Sequence, residues 1–233
     1  MPNRPRSMLS LVDYQVREWE ARRRVNANVD HTPHWPSITV SREFGAQGAA
    51  VGLLVAKRFG FEYWDQELVH EMADRSGVDE ALLESLDEHT RASISALIDG
   101  VLRGGICTES QYLRQLLNIL HTIEQHGNSV VIGRGAQYVM DPSRTLRVRV
   151  VSPRQERIKG IAARKGLSLH DAENVISTVE KDRHTFIDHH YHEDVSNPSG
   201  YDVLINTGTM NLEQTANMVA ESYRCKFGET PEE

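Results

Sequence analysis

The chain has 233 residues, enough to bury a core on both faces of a small sheet, and its 39% hydrophobic and 25% charged residues are those of a folded protein. A formal charge of -7 with a pI near 5.9 opposes broad attraction to nucleic acid, and no apolar run approaches the roughly 20 residues needed to span a bilayer. Two cysteines, Cys107 and Cys225, give neither a disulfide framework nor a cysteine zinc site, and the amino terminus lacks the apolar stretch of a secretory signal, so a cytoplasmic protein is expected.

Leu11, Val12, Val16, Trp19 and Val25 recur among arginines and glutamates, predicting an amphipathic helix over 9–25 that is suited to a protein partner or to a second copy of the chain. Pro33 and Pro36 then favour a linker. The expected organisation is an appendage over 1–36, a main domain over 37–226 and a polar tail over 227–233.

Within the main domain, short β-rich runs alternate with helical stretches. Strands are predicted at 37–41, 61–64, 129–132, 146–151 and 203–205. Helices are predicted at 49–59, 67–75, 110–125, 155–165, 169–186 and 212–223. This rhythm predicts an α/β fold with a mostly parallel central sheet and helices on both faces, whose ligands sit beyond the carboxyl ends of the strands.

The turn after the first strand reads Arg42-Glu43-Phe44-Gly45-Ala46-Gln47-Gly48, in the strand–turn–helix context of a phosphate-binding loop. Glycines let backbone amides converge on an anion, and the helix start adds its positive dipole end. The pattern G-x-x-x-x-G-K-[ST] is nevertheless unmet: Arg42 and Gln47 stand at its glycines, Gly48 at its lysine and Ala49 at its hydroxyl residue. An ordinary tight turn is the competing reading.

Asp65 follows the second strand, where it is either a hydrogen-bond acceptor for a sugar or arginine, or the N-cap of the next helix. Arg134, between Gly133 and Gly135 after an apolar strand, is placed to offer its fork of donors to a phosphate. Arg154, Arg157 and Arg164 lie on the next predicted helix, and Lys181, Asp182 and Arg183 on the one after it. His184, His189, His190 and His192 cluster beside Asp188, Glu193 and Asp194, but a helix end there would scatter them, so no metal site is expected.

ITVSREFGAQG followed by FGFEYWDQELVHEMA resembles the opening of the cytidylate-kinase-like family, and SVVIGRGAQYVM, LRVRVVSPRQERIKGIAARKGLS and VEKDRHTFIDHHY resemble its later blocks in the same order. The resemblance implies a P-loop kinase-like three-layer fold with a helical lid, to which the amino-terminal helix is an extension. It further implies an ATP-dependent kinase of nucleoside monophosphates, CMP or dCMP, with magnesium entering as the ATP complex. Donor phosphates would then meet Arg42, Gly45, Ala46, Gln47 and Gly48, the acceptor Asp65 and Arg134, and the transferring group Arg157 and Arg183. The sequence departs from close relatives at Gln47 and at Ala49 and Ala50, which replace a small residue and an arginine–glutamate pair. Two alternatives stand beside this reading: a nucleotide-binding pseudokinase acting through a protein partner, and a kinase of a small molecule that is not a nucleotide.

Overall fold

The computed structural model describes residues 34–74, 83, 84, 86, 88–103 and 111–228. The expected amino-terminal helix lies outside them, as do residues 229–233 of the expected tail. Five strands, β1 (Ser37–Arg42), β2 (Glu62–Trp64), β3 (Ser129–Ile132), β4 (Thr145–Val151) and β5 (Val203–Asn206), form one sheet in the order β2-β3-β1-β4-β5, and every neighbouring pair is parallel.

The crossovers are helical: α1 (Gly48–Phe59), α2 (Gln66–Asp74), α3 (Glu88–Arg103), α4 (Gln111–His126), the short α5 (Ala136–Val139), α6 (Arg154–Lys165), α7 (Leu169–Tyr191) and α8 (Leu212–Phe227). Strand periodicity sends alternate residues to opposite faces. Val130 and Ile132 therefore join Ile38, Val40, Val148 and Val150 against α1 and α8, whereas Val131 joins Trp64 against α2, α3 and α4. Two cores on the two faces of one sheet make the three layers. Among the described residues no helix is long and apolar enough to cross a membrane.

Local chemistry fixes the element ends. Gly60, left-handed at φ 64°, ends α1 by donating to the Ala56 carbonyl, and Gly52 lets α1 approach the sheet so closely that a Cβ there would lie 2.6 Å from Ile132 Cδ1. Ser168 caps α7 by accepting from Asp171 N, and Asn211 with Gln214 forms a reciprocal capping box on α8.

The structure differs from the sequence reading at four places, one being that α8 runs on to Phe227, past the predicted end at 223 and into the predicted tail. Helix α3 and the one-turn α5 were not expected, and α7 runs on to Tyr191 rather than ending near Phe186. The extension has a packing cause: the Phe186, His190 and Tyr191 rings gather at its end, with Phe186 and Tyr191 against the α2–α4 core, before His192 closes the helix at φ 52°.

A further satellite core forms between α6 and α7. Ile158, Ile161, Ala162, Ala172 and Ile176 pack together, and Phe44 from the turn after β1 inserts among them. That turn is thereby fastened to the α6–α7 hairpin through an aromatic ring.

Candidate functional site

At the carboxyl ends of β1, β3 and β4 the chain leaves the sheet and opens a cavity of about 560 Å³. It lies where open parallel sheets bind ligands, because the connections from neighbouring strands diverge there. Its floor is Ser41, Arg42, Glu43 and Arg149, its side is Gln66 with Gly133, Arg134, Gly135 and Gln137, and its roof is the α7 stretch from Val179 to Ile187.

Four arginines, Arg42, Arg134, Arg149 and Arg183, line this space. Arg42 Nη2 donates to Gln66 Oε1 at 2.5 Å, and Arg134 Nε donates to the Gln66 carbonyl at 3.2 Å. Arg149 Nη1 donates to Ser41 Oγ at 2.9 Å, and Arg183 Nη1 to the Arg42 carbonyl at 3.2 Å. These acceptors are neutral. Among the described residues no carboxylate stands within ion-pair distance of any of the four guanidiniums, and Arg183 Nε is buried with no acceptor at all.

Converging cations without ion-pair contacts oppose one another's charge, although Glu43, Glu180 and Asp182 also line the cavity. Burial first, then Arg183 and Arg134, pull the Arg42 guanidinium down to about 9, against smaller opposing contributions from Tyr63 and Asp65. Arg183 is lowered by burial, with Glu180 acting against the shift and Arg149 and Arg134 adding to it. A phosphate relieves both the desolvation and the repulsion, so the arrangement fits a multiply charged anion.

The backbone is arranged to let the arginines in. Gly133 at φ 74° stands so close to Arg42 Nη1 that a side chain there would collide with it, and Arg134 itself is left-handed at φ 55°. Tyr191 OH donates to the Arg134 carbonyl at 2.7 Å, and the Arg134 guanidinium lies 5.3 Å over the Phe186 ring. The roof helix therefore holds the arginine loop from above.

The sequence-predicted residues divide into groups. Arg42, Arg134 and Arg183 meet in the cavity. Gly45, Ala46, Gln47 and Gly48 form the adjoining turn into α1, with Gly45 at φ 92° and Gln47 at φ 62°, and they are not among the residues lining the cavity. Asp65 is not there either: its Oδ1 accepts from the Glu67 and Leu68 amides at 2.9 and 2.8 Å, capping α2 and so setting the position of Gln66 beside it.

Arg157 lies underneath the turn, 6% exposed, rather than in the cavity. It donates to the Ser152 and Phe44 carbonyls at 2.8 and 3.2 Å and pairs with Glu180 and Glu43. Arg157 thus joins the turn, β4 and α7 in one charged knot. The histidines spread along α7: His184 lines the cavity, whereas His190 packs against Phe186 and Tyr112. Burial, His189 and Arg134 together lower the His190 imidazole. Among the described residues no group of three His, Cys, Asp or Glu is placed to hold a metal ion.

Sequence reasoning missed Gln66, Arg149 and Tyr201. The one legible signal was the alternation Leu146-Arg147-Val148-Arg149-Val150, which places an arginine inside a buried strand on the face shared with Ser41.

A sequence model of the cytidylate kinase-like family matches residues 37–209. Among solved structures, the chain is similar to an uncharacterized protein from Eubacterium ventriosum, with a TM-score of 0.61 and 16% identity over 81% of this chain and 98% of that one. It is also similar to shikimate kinase from Acinetobacter baumannii, with a TM-score of 0.48 and 12% identity over 89% and 99% of the two chains. A curated relative, uronate isomerase from Corynebacterium glutamicum, is 27% identical over 131 residues, which cover 55% of this chain but 25% of that protein. The matched stretch is thus about a quarter of that relative's length.

Proposed function

The chain belongs to the cytidylate kinase-like family, and on that premise we propose that it transfers a phosphoryl group from ATP to a nucleoside monophosphate, CMP or dCMP. One observation carries this reading: four arginines without carboxylate partners converge on a cavity at the carboxyl ends of β1, β3 and β4. Two anionic substrates repel each other, and phosphoryl transfer depends chiefly on cations that hold them together in line.

In this reading Arg134 holds the acceptor phosphate with its forked donors, while Arg42 and the amides of Gly45, Ala46, Gln47 and Gly48 receive the donor phosphates. Arg183, reaching down from α7 to the Arg42 carbonyl, faces the group in transit. An acceptor phosphate oxygen attacks the γ-phosphorus and the bond to the ADP oxygen breaks. The attacking oxygen is largely ionised at neutral pH, so the step needs no protein base. Magnesium carried by ATP would neutralise charge on the transferring group; Ala49 supplies no hydroxyl toward it. Asp65 and Arg157 act as positioning residues, the first through Gln66 and the second through the turn and α7.

A second reading, a catalytically weak nucleotide-binding module acting through a protein partner, draws on one observation. The Gly45–Gly48 turn lies outside the cavity lining and lacks both lysine and hydroxyl. A coupled screen of nucleoside monophosphates with ATP and magnesium, run beside binding titrations, separates the two. Turnover with CMP or dCMP is expected; tight nucleotide binding without turnover would transfer the support to the second reading.

A further inference from the structure

Arg149 stands apart from the other cavity arginines in its origin. It comes from inside a strand, whereas Arg42 ends β1, Arg134 lies in a loop and Arg183 on the roof helix, and it is 6% exposed. Its Nη1 is fixed by Ser41 Oγ at 2.9 Å and the Tyr201 hydroxyl at 3.4 Å, and its guanidinium carbon lies 5.5 Å from the Tyr201 ring centre. Tyr201 is anchored in turn, donating to the Val195 carbonyl at 2.8 Å. One edge of the guanidinium is therefore held rigidly by neutral groups, and its remaining N–H donors have no acceptor among the described residues. A buried charge of this kind is costly, and an apolar side chain of similar volume would serve the fold as well or better.

We propose that Arg149 is a phosphate ligand: with Ser41 and Tyr201 as its support it forms a second phosphoryl subsite on the cavity floor, and strand β4 thereby supplies a cation that the turn after β1 does not carry. Gly48 stands where a phosphate-binding loop carries its lysine. Arg149 and Arg183 line the same cavity of about 560 Å³, so one polyphosphate chain within it can meet both guanidiniums. The ligand class is a molecule with two linked phosphoryl groups, which a lone inorganic phosphate or a mononucleotide does not satisfy. This inference rests on the reading of the cavity as a phosphate site, although not on turnover.

The test is calorimetric titration with pyrophosphate, without magnesium, together with thermal melts of the apo protein. Wild type is expected to bind and to be stabilised. In Arg149→Met the apo Tm stays level or rises, while pyrophosphate affinity falls at least about tenfold. Arg149→Lys keeps the charge but loses the fork, and its affinity falls about three- to tenfold. Unchanged pyrophosphate affinity in Arg149→Met overturns the proposal, as does failure of wild type to bind pyrophosphate. If Arg149→Met does not fold, Arg149→Lys decides: wild-type affinity overturns the proposal and the expected loss supports it. A nucleotide-turnover assay on the same preparations keeps the two readings distinct. Arg149-dependent binding without turnover leaves this subsite standing and removes the kinase; turnover with Arg149-independent binding does the reverse.

Discussion

Arg134 sits at φ 55° with its Nε on the Gln66 carbonyl and its guanidinium over Phe186, so its geometry is fixed before a ligand arrives. Arg134→Lys preserves the charge but not the two-pronged donor pattern. Losing one charge-assisted hydrogen bond costs about 1.5–3 kcal/mol, so acceptor binding or turnover should fall roughly ten- to a hundredfold while ATP affinity changes much less. Wild-type acceptor kinetics in a folded Arg134→Lys protein would make the residue structural. Arg42 gives a pH signature. Burial first, then the neighbouring arginines, lower its folded guanidinium to about 9 from the ordinary arginine value, so triphosphate binding that needs the cation should weaken as pH rises through about 9. Stability runs the other way: between those two values the unfolded chain binds the extra proton, and this group's share of stability rises with pH. A titration of ATP affinity from pH 7.5 to 10 checks the sign, and a flat profile would remove Arg42 from the donor site.

Helices α6 and α7 are joined to the turn after β1 by Phe44 in their shared core and by Arg157 between Glu43 and Glu180. Arg157→Met removes the donor to the Ser152 and Phe44 carbonyls and leaves Glu180 with only the longer contact from Arg154 at 3.8 Å. Removing one partner of a buried pair costs about 3–5 kcal/mol, and because both glutamates keep some solvent contact a loss of about 2–3 kcal/mol in urea unfolding is expected. ATP affinity should fall in step with the freed turn. An unchanged urea midpoint would show that the knot is not a fastening. This knot was beyond the sequence, where Arg157 reads as one more arginine on a polar helix; only the fold reveals that Glu43 and Glu180, far apart in the chain, close around it. Arg134 was legible because an apolar strand and two glycines frame it. Arg149 was passed over despite its alternation because a charged residue in a strand reads as solvent-facing, whereas Ser41 and Tyr201 hydrogen-bond it here.

The three layers depend on close approach between helix and sheet, most tightly at Gly52 above Ile132 and Val130. Gly52→Val should overpack this contact and destabilise the whole domain by about 1–3 kcal/mol, with one cooperative transition shifted to lower denaturant. Full stability in that variant would mean that α1 stands further from the sheet than described. The alternation of strand and helix made this architecture readable, since apolar strands such as Ser129–Ile132 must be covered on both faces. Helix α3 was not readable in the same way, because Leu97, exposed between the core contacts Ile94 and Ile98, blurs its apolar stripe. Whether the arginine-lined cavity, rather than any other surface, receives the phosphates is decided by a crystal structure of the protein with ADP and CMP. Phosphate oxygens within hydrogen-bond distance of Arg42, Arg134 and Arg183 are predicted, and nucleotide density elsewhere on the molecule, with these guanidiniums left without a ligand, would contradict that prediction.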